Sequence, residues 1–344
     1  MNTINRRYFP GLNTIRCYAA VCVVLAHVFL IAPMPFDITM TGFEAVTLFF
    51  TLSGFLITYI LLEERRDTGR IDVRRFYKRR SLRIMPLYYL IVLVGFAIPV
   101  LRPPLWTAPY LFTFTAYIPH AIILSPLLYM GHLWSIGIEE LFYLCFPVLV
   151  SRFGVIKTCV AILVIRFLVL TLAVDISPEV ATLVRYFRIE GMAIGGLVAW
   201  LLFYEHVTLR ILYNPVLVWL LASVFVLLNF RAITASPFST SFMYAVLILN
   251  VATNPRFPKL EFRWLSWLGQ RTYGIYMWHF LVIGLVATLP GITWSTGVVL
   301  TLLLTVGLAI LSYQYFELPF LNLKDVNLRQ VLQRRRFTTA RASD

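Results

Sequence analysis

Long apolar stretches separated by short polar connections dominate this chain. A helical run of about 18 or more apolar residues is long enough to cross a ~30 Å hydrocarbon layer. Ten such windows are predicted, at 13–33, 42–62, 84–102, 131–150, 156–174, 186–204, 211–229, 238–254, 265–288 and 295–316. The pattern therefore predicts an all-α, polytopic membrane bundle of about ten transmembrane helices. Residues 103–130, "PPLWTAPYLFTFTAYIPHAIILSPLLYM", are uncharged and apolar enough to pass for one more crossing. Five prolines oppose a straight helix there. An extra crossing would also send Arg152, Lys157 and the basic C-terminal residues to the side opposite the other basic connections. The segment is predicted to be re-entrant or interfacial on the outer side. Irregular backbone is tolerated at membrane depth where protein or a wet cavity surrounds it.

Charge fixes the orientation. Alternate connections hold 23 of the 30 Lys and Arg residues, nine of them within 63–83. Both termini are expected in the cytoplasm. The net charge of +14 is read as this topological bias, so no nucleic-acid partner is expected. With 60% hydrophobic and 13% charged residues and a mean hydropathy of +0.80, a soluble domain is excluded. The domain reading is a membrane domain over 1–320 and a basic cytoplasmic tail over 321–344, with no cleavable leader expected. Cys17, Cys22, Cys145 and Cys159 lie in or beside apolar runs without metal-ligand spacing. They read as small apolar residues, and no metal is expected.

Against this background, ionisable residues inside the spans are costly and mark pathways or reaction centres. Arg16 and His27 lie eleven positions apart in the first span. At 100° per residue they fall about 20° from three full turns, on one face and about 16 Å apart along the axis. Arg16 belongs at the cytoplasmic mouth and His27 near mid-membrane. The connection "RRFYKRRSLR" places Arg79, Arg80 and Arg83 at a helix start, where guanidinium groups can grip phosphates in a fork. "GHLWSIGIEELFYLCFP" carries His132, Glu139 and Glu140, the adjacent carboxylates pointing about 100° apart. "LGQRTYGIYMWHFLVI" carries His279, roughly 20 Å in from the cytoplasmic side by helical rise. "VRYFRIEGMAIGGLVAW" holds Arg185, Arg188 and Glu190, for which a local ion pair is the plain reading. Together these clusters suggest a polar shaft through the bundle, basic inside, with a histidine midway and carboxylates towards the outside.

The order of motifs resembles membrane acyltransferase family three, the integral-membrane O-acyltransferases of bacterial polysaccharides, Nod factors and macrolides. Its elements are Arg16-x10-His27, "FFTLSGFLIT", "RRSLRIMPLYY" with Arg80 and Arg83, "LWSIGIEELFYLCFP", "FRIEGMAIGGLVAW", "TYGIYMWH" and "YFELPF" with Glu317, over residues ~10–320. "SIGIEE" stands where "SLSVEE" is common. The resemblance implies a cytoplasmic acetyl-CoA or other short acyl-CoA as co-substrate. The implied acceptor is a hydroxyl of a glycan or glycolipid at the outer face, such as exopolysaccharide, O-antigen or lipo-oligosaccharide, in the bacterial inner membrane. It implies Arg16 and His27 as essential active-site residues, Arg80 and Arg83 on the donor side, and Glu139 as the glutamate of its motif. The expected chemistry has Arg16, Arg79, Arg80 and Arg83 on the phosphates of CoA and His27 as general base. Glu139 would orient a histidine or bind the acceptor, and His279 would make a second polar contact near the oxyanion. The rivals are O-acylation of a macrolide-like molecule and a proton-coupled transporter, because midplane His, Arg and Glu also suit proton relays.

Overall fold

The computed structural model describes residues 9, 11–28, 39–122, 127–173, 176–230 and 236–325. Among these there is no strand. The helices are α1 (Leu12–Val28), α2 (Thr39–Thr68), α3 (Val73–Ala97), α4 (Ala108–Phe112), α5 (Tyr117–Ile122), α6 (Leu133–Phe153), α7 (Val155–Ala173) and α8 (Pro178–Tyr186). They continue with α9 (Ile189–Phe203), α10 (Leu209–Leu212), α11 (Pro215–Phe230), α12 (Pro237–Thr253), α13 (Arg263–Gly269), α14 (Thr272–Val286), α15 (Trp294–Ser312) and α16 (Leu318–Asn322). Six stretches are long and apolar enough to cross a membrane, and four shorter apolar helices accompany them. Each of the ten predicted windows falls on one of these ten. The protein is an all-α, multi-pass membrane bundle.

Local chemistry sets the helix ends. Asp72 caps α3 by accepting the Arg75 backbone N–H at 3.0 Å, which starts the helix just before its basic face. Thr293 and Thr296 form a reciprocal capping box at the head of α15. A π-helical turn, Tyr313–Glu317, follows α15 and buries Glu317, whose carboxylate accepts from Ser312 Oγ at 3.1 Å.

Burial sorts the helices. The apolar window of α2 is 78% buried, which makes it the central helix. That of α7 is 22% buried, and its exposed Val164, Ile165, Phe167 and Leu172 are a lipid-facing surface. Helices α2 and α9 approach until backbone meets backbone. A Cβ on Gly54 would collide with the Met192 backbone, and one on Gly195 with the Thr51 carbonyl. Small residues are what permit such contact between membrane helices.

Among its described residues, the segment 103–130 is broken into short pieces, none of the helices there exceeding six residues, in line with the re-entrant or interfacial expectation. Phe114 stacks on Tyr88 of α3 at 4.1 Å, and its carbonyl rests on Gly137 of α6, where any side chain would clash. Of the aromatics in this segment, Trp106 and Phe112 are exposed, whereas Phe114 packs inward. The expected boundary at residue 320 falls within α16. Residues 326–344 of the expected tail lie outside the described residues, as do Arg6 and Arg7.

The local ion pair expected around Glu190 is replaced by a long-range one. Glu190 accepts from Arg166 Nε at 2.7 Å, joining α9 to α7, both side chains almost wholly buried. Arg188 turns instead to Thr47 Oγ1 at 2.5 Å. A charge deep in a bundle is tolerable only when paired there, so Arg166 selects the nearest buried carboxylate. Glu190→Ala is expected to destabilise the bundle by about 3–5 kcal/mol, because Arg166 then stays buried without its counter-ion. Thermal unfolding in detergent measures this, and an unchanged Tm would show that the pair does not hold α7 to α9.

Candidate active site

A cavity of about 890 Å³ opens among α1, α2, α3, α6 and α14. Its wide end is basic, with Arg75, Arg79, Arg80 and Arg83 from α3 and Lys324 beyond α16; Arg16 of α1 also lines it. Glu63, Glu64 and Asp67 from the end of α2 stand opposite. The four arginines singled out from the sequence thus share one space. Asp72 caps α3 so that three- and four-residue spacings bring Arg79, Arg80 and Arg83 round towards it. Arg80 lies over the Tyr143 ring at 4.7 Å, a cation–π contact that holds the guanidinium at the wall. Among the described residues, no carboxylate forms a salt bridge with Arg16, Arg80 or Arg83. Arg16 reaches only the Asn13 side-chain carbonyl, at 3.2 Å. Three guanidinium groups that form no salt bridge among the described residues are thus gathered around one cavity, and guanidinium groups are suited to bind anionic groups in a fork.

Glu139 lines the same cavity. Its Oε1 accepts from Ser53 Oγ at 2.5 Å and also from the Tyr143 hydroxyl, one turn along α6. None of these bonds goes to a histidine, so the geometry places Glu139 in the wall beside Arg80. The adjacent Glu140 does not line the cavity, as the 100° offset requires. Ser53 and Tyr143 are functional neighbours that sequence reasoning passed over. Ser53 lies within "FFTLSGFLIT", but 86 positions separate it from Glu139 and no local pattern ties the two.

The inner end of the cavity is closed by Ser135 of α6 and by Thr272 and Tyr276 of α14. The Tyr276 hydroxyl donates to the His132 carbonyl at 2.9 Å and receives Ser135 Oγ–H at 2.6 Å. Beyond this floor the histidines gather. His27 and His279 do not line the cavity; they meet each other one helical turn past Tyr276. His279 Nε2 lies 3.2 Å from His27 Nδ1, and His279 Nδ1 lies 2.5 Å from the Tyr276 carbonyl. Phe280 sits against His27 with ring centroids 4.5 Å apart, and stacks on His132 at 4.8 Å. His132 is buried, and neither of its ring nitrogens is hydrogen-bonded to a described residue.

Hydrogen-bond bookkeeping then assigns protons. A carbonyl only accepts, so His279 Nδ1 carries its hydrogen. With both imidazoles neutral, His279 Nε2 is an acceptor and His27 Nδ1 must donate to it. His27 Nε2 is thereby left with a bare lone pair. Both His279 nitrogens are thus engaged, one with the Tyr276 carbonyl and one with His27.

The geometry thus comprises a cavity opening among basic residues, a tyrosine floor, and an oriented imidazole behind it. The family model described as "Acyltransferase domain", of acyltransferase family 3, matches residues 9–314. The chain belongs to acyltransferase family 3.

Two relatives in this family illustrate the likeness. The Bacillus subtilis (strain 168) protein named "Putative peptidoglycan O-acetyltransferase YrhL" is 30% identical over 364 residues, covering 92% of this chain and 55% of the relative. The "O-acetyltransferase OatA" of Staphylococcus aureus (strain NCTC 8325 / PS 47) is 25% identical over 356 residues, covering 91% of this chain and 57% of the relative. The chain therefore spans about half the length of the curated acyltransferase family 3 relatives it matches. No solved structure matches it.

Proposed function

We propose that this chain is a membrane O-acetyltransferase that takes an acetyl group from cytoplasmic acetyl-CoA and delivers it to a hydroxyl of a cell-surface glycan. The observation that carries this reading is the single cavity that joins a cluster of arginines to a floor one helical turn from an oriented histidine. The arrangement suits a donor with a polyanionic head and a thin reactive arm. The diphosphate and ribose phosphate of CoA stay among Arg79, Arg80, Arg83 and Arg16, where bidentate pairing with phosphate is strongest. The pantetheine arm runs inward along Ser53, Glu139 and Tyr143, and the thioester reaches Tyr276. The names of the two relatives support acetyl as the group moved and peptidoglycan as one candidate among surface glycans. The membrane in question is the plasma (inner) membrane, with the basic end of the cavity facing the cytoplasm.

Chemistry follows from the proton assignment. His27 Nε2 takes the proton of the acceptor hydroxyl as its oxygen attacks the thioester carbonyl. The tetrahedral intermediate collapses, the C–S bond breaks, and the imidazolium returns the proton to the departing thiolate. Atoms and charge balance without a metal or an external base. His279, held by the Tyr276 carbonyl, fixes the ring and tautomer of His27 and stabilises its transient charge, as a positioning residue.

His27→Ala is expected to lower acetyl transfer by about 10²–10⁴-fold at unchanged membrane level, the range of a lost general base. Alkali-released acetate from the surface glycan measures it, and full acetylation in the variant would remove His27 from the reaction. Arg80→Ala/Arg83→Ala is expected to raise the KM for acetyl-CoA at least about tenfold, equivalent to 1.4 kcal/mol of lost phosphate binding. Unchanged KM and kcat in detergent-solubilised enzyme would refute the donor grip.

A further inference from the structure

A second assembly of side chains lies beyond the floor of the basic cavity. Phe43 from the start of α2, His120 from α5, Trp134 from the start of α6 and Tyr186 from the end of α8 meet there. Ring centroids are 4.9 Å apart for Trp134–Tyr186, 5.1 Å for His120–Tyr186, 5.7 Å for Phe43–Tyr186 and 6.1 Å for Phe43–Trp134. His120 lies parallel to Trp134, with 4° between planes. Trp134 is 6% exposed and backs the cluster. Phe43 is 40% exposed, and Tyr186 and His120 are half-buried, so these three form its accessible face.

Two helices fix the position of this face. On α2 the cavity lining begins at Val46, and Phe43 lies one turn before it. On α6 the lining begins at Ser135, and Trp134 precedes it. The face therefore caps the end of the bundle away from the arginines. His120 contacts Trp134 and Tyr186, and Trp134 directly precedes Ser135 at the cavity floor.

The polar groups here are set for a ligand. His120 Nδ1 is buried from solvent and has no hydrogen-bond partner among the described residues. Arg188 holds the rim, its guanidinium 5.6 Å from the Phe43 ring and bonded to Thr47 Oγ1 and the Phe43 carbonyl. A buried polar atom without a partner is costly in a finished core. Aromatic faces edged by an unpaired ring nitrogen match a pyranose, which is apolar across its C–H faces and ringed by hydroxyls. A lipid tail would use the rings and leave His120 Nδ1 unpaired.

We propose that Phe43, Tyr186 and His120 form the acceptor subsite, binding one pyranose ring of the glycan so that the neighbouring hydroxyl meets His27. The sugar face lies on Phe43 and Tyr186, and a sugar hydroxyl bonds to His120 Nδ1. This rests on the acetyl-transfer reading above.

The test compares wild type, Phe43→Ala, Phe43→Trp and His120→Gln for three quantities. These are acetate on the surface glycan in cells, and binding of labelled acetyl-CoA and Tm for the purified protein. Phe43→Ala and His120→Gln are expected to lose about tenfold in glycan acetylation, the equivalent of 1.4 kcal/mol. Acetyl-CoA binding and Tm are expected to match wild type, and Phe43→Trp is expected to retain acetylation. Wild-type acetylation in both Phe43→Ala and His120→Gln would overturn the subsite alone, with the acetyl-transfer reading intact. Parallel loss of acetyl-CoA binding and Tm would overturn it in favour of a structural role. Acetylation kept by His120→Gln but lost in Phe43→Ala would overturn the sugar assignment in favour of a lipid surface. A wild-type protein that moves no label from acetyl-CoA would overturn the acetyl-transfer reading and the subsite with it.

Discussion

The 3.2 Å contact between His27 and His279 is the point on which the rest of this site depends. Two imidazoles inside a hydrocarbon slab have no water to satisfy them, so each must find its partner within the chain. The Tyr276 carbonyl supplies the first acceptor, His279 passes the constraint on, and His27 receives it at Nδ1. The cost of burying polar groups thus becomes orientation, because one tautomer is left and one lone pair is free. The same constraint explains Arg166 with Glu190, and Ser53 and Tyr143 on Glu139. It also explains why His120 and His132, unsatisfied in the same way, stand out.

Tyr276 separates the two halves of the site. Its side chain closes the basic cavity, and its backbone carbonyl anchors the histidines behind. One residue therefore touches both the space proposed for the donor and the imidazole proposed as base. Helices α1, α6 and α14 each carry residues on both sides of that floor, Arg16 and His27 on α1 being the widest pair. A bundle in which backbones touch, as Gly54 and Gly195 allow between α2 and α9, holds such spacings rigidly.

Much of this was legible in the sequence, for definable reasons. Spans are set by length and apolarity, so all ten windows found helices, and proline chemistry marked 103–130 as broken. Helical periodicity put Arg16 and His27 on one face, and basic spacing gathered Arg79, Arg80 and Arg83 in one cavity. What periodicity does not carry is pairing between distant helices. Glu190 looked local to Arg185 and Arg188, yet its partner is Arg166, a residue inside an apolar run. The bond of Glu139 to Ser53 crosses from α6 to α2, and the contact of His279 with His27 joins α14 to α1. His120, in the uncharged segment, gave no signal at all.

The central claim is that the acetyl group leaves CoA on one side of the membrane and reaches a hydroxyl on the other through this bundle. Sealed proteoliposomes of known orientation test it directly, with labelled acetyl-CoA confined to the face bearing the basic cavity and the surface glycan trapped on the opposite face. The expected result is label on the trapped glycan and none in vesicles carrying His27→Ala. Label appearing only when donor and glycan share one compartment would contradict the account.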